Sequence, residues 1–294
     1  MDPIHAKINL RQIIASMNKI PLKKIRISPK KSLGQNFLSE TGVIKKLVGA
    51  ADIRAGETVL EIGPGTGNLT AELALAGNKI ISIEKDPEMV GIIKERFALA
   101  PNVSVSIGDA LAYDESRVNP PYKIAANLPF YLTAPLIRKF LESANPPESL
   151  TIIVQKEVAQ RICAATPKMN LLAVSVQFYA AAKIIDYVSK GCFWPVPKVD
   201  CAILQIIPHI KEGERADKKF IYSFFETVKA GFSQPRKQLA NNLAKGLKLG
   251  KESAAAWLKE NGIDPRQRPE TLSIGDWQKL TQTRPINYNK ENGR

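Results

Sequence analysis

Thr58-Val-Leu-Glu-Ile62 runs directly into Gly63-Pro-Gly-Thr-Gly67, an apolar strand followed by a turn with glycine at every second position. Such glycines let the backbone turn tightly and approach a ligand at the N-terminus of the next helix. The sixth position is Asn68, so the spacing is not GxGxxG or GxGxxA and argues against a dinucleotide. Outward from this turn, short β-rich runs alternate with helical ones. Lys79–Glu84, Val103–Gly108, Lys123–Asn127 and Leu150–Gln155 read as further buried strands, with Leu69–Ala76 and Pro87–Ala98 as helices between them. This alternation predicts a parallel sheet wrapped by helices, with ligands at the carboxyl ends of its strands. Ile184–Val188 and Ala202–Ile207 follow without a long helix between them and read as an antiparallel hairpin at the sheet edge, turning near Gly191. The expected fold class is α/β: a Rossmann-like domain with a seven-stranded, mostly parallel sheet.

After Pro208 the pattern becomes helical, with Lys218–Phe232, Arg236–Leu243, Lys251–Asn261 and Ile274–Gln282 separated by Gly and Pro. The expected partition is a basic N-terminal extension over 1–31, the α/β domain over 32–208 and a small all-helical domain over 209–294, with Pro208–Gly213 as linker. Within the extension, Ile8, Ile13, Ile14, Met17 and Ile20 fall near helical spacing and Pro21 ends the run.

Charge is divided along the same lines. The formal net charge is +14 over 294 residues. Ser32 to Pro208 carries 17 basic and 17 acidic side chains, residues 1–31 carry eight basic ones against Asp2, and residues 209–294 carry 17 against ten. A neutral core with basic flanks suits a small-molecule site served by surfaces that hold a polyanion. A merely solubilising surface would carry the same charge, and a transit peptide shares the basic, acid-poor character of the extension. No apolar run reaches the roughly 18 residues that read as a membrane span, and no secretory signal opens the chain, so a cytoplasmic protein without a membrane partner is expected. Cys163, Cys192 and Cys201 are odd in number and lack CxxC spacing, which fits buried thiols rather than a disulfide framework or zinc site. His5 and His209 are the two histidines. Neither lies in an HxE or HExxH context, so Ser-His-Asp catalysis and zinc chemistry lack their usual parts and no metal is expected.

Polar residues at successive strand ends carry the chemistry. Glu84 ends the second strand, where an acid can accept from both hydroxyls of a ribose. A helix-capping acid would occupy the same place. Asp109 follows Gly108 at the end of the third strand, within reach of an adenine amino group or as a cap for the next segment. Asn127-Leu-Pro-Phe130 ends the fourth. An exocyclic amine on adenine is a poor nucleophile, because its lone pair is delocalised into the ring. Acceptors on its hydrogens would hold it in line for attack, and the Asn127 side-chain oxygen and the Leu128 carbonyl could each take one. Pro129 keeps the segment extended and has no N–H to compete. Phe130 offers a flat face for a base. Taken alone, Asn127 would serve equally as a turn former and Phe130 as a core aromatic.

The ExGxGxG spacing at Glu61–Gly67 resembles the class I methyltransferase loop, whose backbone packs against the methionine portion of S-adenosylmethionine. From Lys31 to about Leu280 the chain resembles the KsgA/RsmA family of ribosomal RNA small-subunit adenine N6,N6-dimethyltransferases. Lys31-Ser-Leu-Gly-Gln-Asn-Phe-Leu38 is similar to the family's opening motif, which implies cofactor contacts for Asn36 and Leu38. Gly63, Gly65, Glu84, Asp109 and Asn127 are implied as the remaining cofactor positions. Asn127–Phe130 matches the NLP[FY] catalytic motif. Phe193-Trp-Pro-Val-Pro-Lys-Val199 resembles the FxPxPxV loop, so Phe193 is implied to close over the adenine, or else it is a core aromatic of the hairpin turn. Phe232–Leu243 and Gly262–Ser273 resemble FSQRRKxLxNNL and GIDPxxRAExLS, with Pro235 in place of the usual Arg and Pro269 in place of Ala. Arg236 and Lys237 remain as candidate RNA contacts. The resemblance implies dimethylation of two adjacent adenosines near the 3' end of 16S rRNA, on naked RNA or on the assembling small subunit, by a protein taken as a monomer. Erm-type methylation of large-subunit rRNA, which shares the cofactor loop, and a non-enzymatic RNA-binding assembly factor are the rival readings.

Overall fold

The computed structural model describes residues 27–75, 78–209 and 217–285. The amphipathic run of the N-terminal extension, Ala76 and residues 210–213 of the linker lie outside them. Among the described residues the chain runs β1 (Phe37–Leu38), α1 (Thr41–Ala50), β2 (Thr58–Ile62), α2 (Asn68–Leu75), β3 (Lys79–Glu84), α3 (Pro87–Arg96) and β4 (Val103–Ile107). It continues through β5 (Tyr122–Asn127), α4 (Thr133–Glu142), β6 (Ser149–Gln155), α5 (Lys156–Ile162), α6 (Leu171–Gln177), β7 (Ala180–Val188), β8 (Phe193–Trp194) and β9 (Cys201–Pro208). Helices α7 (Lys218–Gly231), α8 (Leu239–Leu247), α9 (Lys251–Glu260) and α10 (Ile274–Gln282) follow.

Val59, Leu60, Glu61 and Ile62 are buried on consecutive positions, as a strand covered on both faces must be. β2 accordingly lies inside a seven-stranded sheet of order β4-β3-β2-β5-β6-β9-β7. β4, β3, β2, β5 and β6 pair in parallel, and β9 joins β6 antiparallel with Ile153 opposite Ile203. The seven-stranded, mostly parallel Rossmann-like sheet is therefore observed as expected. From β2 the chain builds outward first through β3 and β4, then on the other side through β5 and β6. The switch falls between β2 and β5, which opens a crevice at their carboxyl ends. Asp86 accepts from the Glu88 N–H, and Pro87 occupies the first turn, so α3 starts immediately past β3.

The edge hairpin is interrupted. β7 and β9 are neighbours in the sheet, but β8 leaves it and pairs antiparallel with β1, Phe37 opposite Trp194 and Leu38 opposite Phe193. Cys201 is buried and its thiol is pushed up to about 12, chiefly by burial, whereas Cys163 and Cys192 are only half-buried.

The compact units are not contiguous in sequence. Residues up to 159 together with 181–211 form one, and 160–180 together with residues from 212 onward form the other. A single cut after Pro208 misses this because α6 belongs with the helical unit. There, Phe178 stacks on Phe224 with centroids 4.1 Å apart, and the Met169 N–H donates to Glu270 O at 2.9 Å. In the same unit a Cβ at Gly231 would collide with Trp277, so glycine lets that aromatic approach the backbone. α8 begins at Leu239 rather than Arg236, because Asn242 reaches back and donates to Gly231 O and Gln234 O, holding residues 232–238 as a turn. Arg236 and Lys237 stand exposed on that turn.

Candidate active site

Four loops converge at the sheet's switch point on a cleft of about 760 Å³, its open mouth included. Gly63 and Gly65 come from the turn after β2, Glu84 from the end of β3, Asp109 from beyond β4, and Asn127 to Phe130 from the end of β5. Asn36 and Phe193 complete the wall. Of the expected α/β-domain site residues, Leu38 alone does not line the cleft. It is buried in the core, and its carbonyl accepts from Asn68 Nδ2 at 3.0 Å.

The glycine turn is shaped by what passes over it. Gly63, Gly65 and Gly67 have φ of 65°, 56° and 80°, a region that side chains with a Cβ resist. A Cβ on Gly65 would lie 2.8 Å from Phe37 Cδ1, whereas one on Gly63 would meet nothing closer than Pro129 Cδ at 3.9 Å. Glycine at 65 thus admits the Phe37 ring, and glycine at 63 leaves room beside the cleft.

Glu84 is 7% exposed. The Gly65 N–H donates to Oε2 at 3.2 Å and the Asp86 N–H to Oε1 at 2.9 Å. Burial raises its carboxyl above the ordinary value, with the backbone donors opposing that shift. Asp109 is bound differently. Lys85 Nζ donates to Oδ2 at 2.8 Å and the Leu111 N–H to Oδ1 at 2.9 Å, and the Lys85 bond is the main reason its carboxyl is lowered. It therefore caps its own turn while lining the cleft.

Asn127 Nδ2 donates to Asn36 O at 2.8 Å. A carbonyl can only accept, so this contact assigns the amide nitrogen to Asn36 and makes Oδ1 the acceptor end. The Leu128 N–H donates to Ile153 O at 3.3 Å, and Pro129 O accepts from the Leu132 N–H at 2.9 Å. The Leu128 side chain is buried, whereas Phe130 is half-buried against the core. Phe193 is buried in the same cluster, as the core reading has it, and also lines the cleft.

Sequence reasoning missed the strap that fixes residues 30–36. Lys30 Nζ and Gln35 Nε2 donate to the two carboxylate oxygens of the buried Asp86 at 2.6 and 2.8 Å, and Gln35 Oε1 accepts from the Lys30 N–H at 2.7 Å. Burial raises the Asp86 carboxyl, but the bonds from Lys30 and Gln35 outweigh it and the net shift is downward. Asp86-Pro87 is legible as a helix cap. Its grip on Lys30, 56 residues earlier, carries no local signal.

Among the described residues no group of three or more His, Cys, Asp or Glu could hold a metal ion, and no helix is long and apolar enough to cross a membrane. The chain is 40% identical over 258 residues to the ribosomal RNA small subunit methyltransferase A of Dehalococcoides mccartyi, covering 86% of this chain and 88% of that protein. A solved dimethyladenosine transferase from Plasmodium falciparum superposes with a TM-score of 0.71 at 26% identity, covering 83% of this chain and 95% of that one. The 23S rRNA methyltransferase ErmE superposes with a TM-score of 0.69 at 24% identity, over 84% of this chain and 99% of that one, and shows the shared fold. The ribosomal RNA adenine dimethylase family matches residues 26–284, and this chain belongs to it.

Proposed function

We propose that this protein dimethylates N6 of two adjacent adenosines near the 3' end of small-subunit rRNA, with S-adenosylmethionine as methyl donor and the assembling small subunit as substrate. The observation that carries the chemistry is the Asn127 amide, pinned by the Asn36 carbonyl so that Oδ1 is an acceptor on the cleft wall.

The cleft fits the cofactor. The Glu84 carboxylate accepts backbone N–H groups on both oxygens, and with about four lone-pair sites it can still accept from a ribose hydroxyl. Asp109 would take the adenine amine, and the backbone at Gly63 and Gly65, with Asn36, would hold the methionine end. Bound there, S-adenosylmethionine supplies a methyl group made electrophilic by its sulfonium. The protein's own part is to hold the nucleophile. Asn127 Oδ1 and the Leu128 carbonyl accept the two amine hydrogens, and Phe130 and Phe193 bracket the base. In this way the nitrogen lone pair is aimed without a strong general base. Arg236 and Lys237, exposed on the turn held by Asn242, are the candidate phosphate contacts of the helical unit.

Asn127→Ala removes the acceptor and leaves Glu84 and the glycine turn in place. Calorimetry is expected to show cofactor affinity within about tenfold of wild type, while methyl incorporation into under-methylated small subunits falls by about 100-fold or more. Full turnover by the variant would remove Asn127 from the mechanism.

A further inference from the structure

Trp194 is 46% exposed, although an indole is among the side chains with most to gain from burial. It sits on β8 next to Phe193, and β8 pairs with β1 so that Trp194 lies opposite Phe37. The two rings stack with centroids 6.3 Å apart and planes 25° from parallel. Phe37 in turn packs on the backbone of Gly65. A layered column therefore runs from the cofactor turn through Phe37 to an indole at the surface, beside the wall that Phe193 contributes to the cleft. Tyr131, 52% exposed, lines the same cleft and packs on Gly34. Tyr131 thus stands on the cleft wall itself and Trp194 next to Phe193, which lines it.

Taking an adenine out of a strand to reach the cleft deprives its neighbours of a stacking partner, at about a few kcal/mol. An aromatic face fixed beside the entry replaces that partner for any base, since every base has a π-face. We infer that Trp194 stacks on the nucleobase adjacent to the target adenosine, so that the enzyme recognises an unstacked strand as well as a single base. This rests on the RNA-adenine reading given above. It adds a second base subsite outside the cleft.

The other two tryptophans, Trp257 and Trp277, are 2% and 0% exposed, so emission open to contact with RNA comes from Trp194. Oligoadenosine is expected to quench part of the fluorescence of the wild type and not that of Trp194→Phe; equal quenching in both overturns the inference. In steady-state methyl transfer to under-methylated small subunits, Trp194→Ala is expected to raise KM for the subunit roughly tenfold. Its kcat and cofactor affinity stay within about twofold of wild type, and Trp194→Phe restores most of the loss. An unchanged KM, or a loss shared by cofactor affinity and not recovered by Phe, shows that the column is only structural. A wild-type enzyme that transfers no methyl group to small subunits would instead remove the RNA-adenine reading and this inference with it. A silent Trp194→Ala leaves that reading intact.

Discussion

Single residues at strand ends line this cleft, and each is constrained by identifiable contacts. Glu84 must remain an acceptor on both oxygens, because each faces a backbone N–H. Glu84→Gln places an amide donor against one of them and removes the charge. Hydrogen bonds to charged groups are worth about 1.5–3 kcal/mol, so the dissociation constant for S-adenosylmethionine is expected to rise by about one to two orders of magnitude, read by calorimetry. An unchanged constant would contradict the ribose assignment. Glu84 and Asn127 were legible because a polar residue closing an apolar strand stands out from its neighbours, and Asp109 because it follows Gly108 just past β4. The Gln35–Asp86 bond spans 51 residues, and the Phe37 ring over Gly65 depends on β1 meeting β8. Neither follows from local pattern. Leu38 shows the reverse case, a motif residue that the fold uses as core while its neighbours line the cleft.

At the scale of elements, β2, β3 and α2 are joined beneath the glycine turn by a buried carboxylate. Glu61 Oε2 accepts from Thr70 Oγ1 at 2.7 Å and from Ser82 Oγ at 2.8 Å. Burial pushes this carboxyl up to about 7 from 4.5, against those two donors. The folded state therefore keeps a proton that the unfolded chain releases. The stability tied to that proton is complete below about pH 4.5 and is lost as pH rises to about 7, on the order of 3 kcal/mol. Glu61→Gln preserves an acceptor for both hydroxyls and removes this titration. Thermal unfolding at pH 5 and pH 7.5 is expected to show a smaller drop across that interval for the variant than for wild type, and equal drops would contradict it. The parallel strands were readable from β-rich, largely apolar runs, but β4, expected to be buried, has no buried residue: its Val-Ser alternation fits its place at the sheet edge. β7 begins four residues before the expected Ile184, because Ala180–Lys183 has no β-branched or aromatic side chain to signal a strand. The start of α8 was misplaced because Asn242 holds the preceding turn from within the helix. The two-residue strands β1 and β8 were invisible, since their pairing is the only thing that makes them strands.

For the whole molecule, the alternation of strands and helices was enough to specify a seven-stranded, mostly parallel sheet, while its strand order and switch point emerge only from the pairing. The unit boundary was not, because residues 160–180 leave and re-enter the α/β unit and no composition shift marks the excursion. Charge adds a division that the fold alone does not express: the segment from 32 to 208 is neutral and the flanks hold the excess of basic residues, a pattern that suits a small-molecule site served by polyanion-binding surfaces. Dimethylation of N6 removes the hydrogens that adenine presents on its Watson–Crick edge and halts reverse transcription. The direct measurement is to incubate the enzyme and S-adenosylmethionine with under-methylated small and large subunits and map new stops in both rRNAs. Stops are expected at two adjacent adenosines near the 3' end of the small-subunit rRNA and none in the large. Stops in the large-subunit rRNA alone, or in neither, would contradict it.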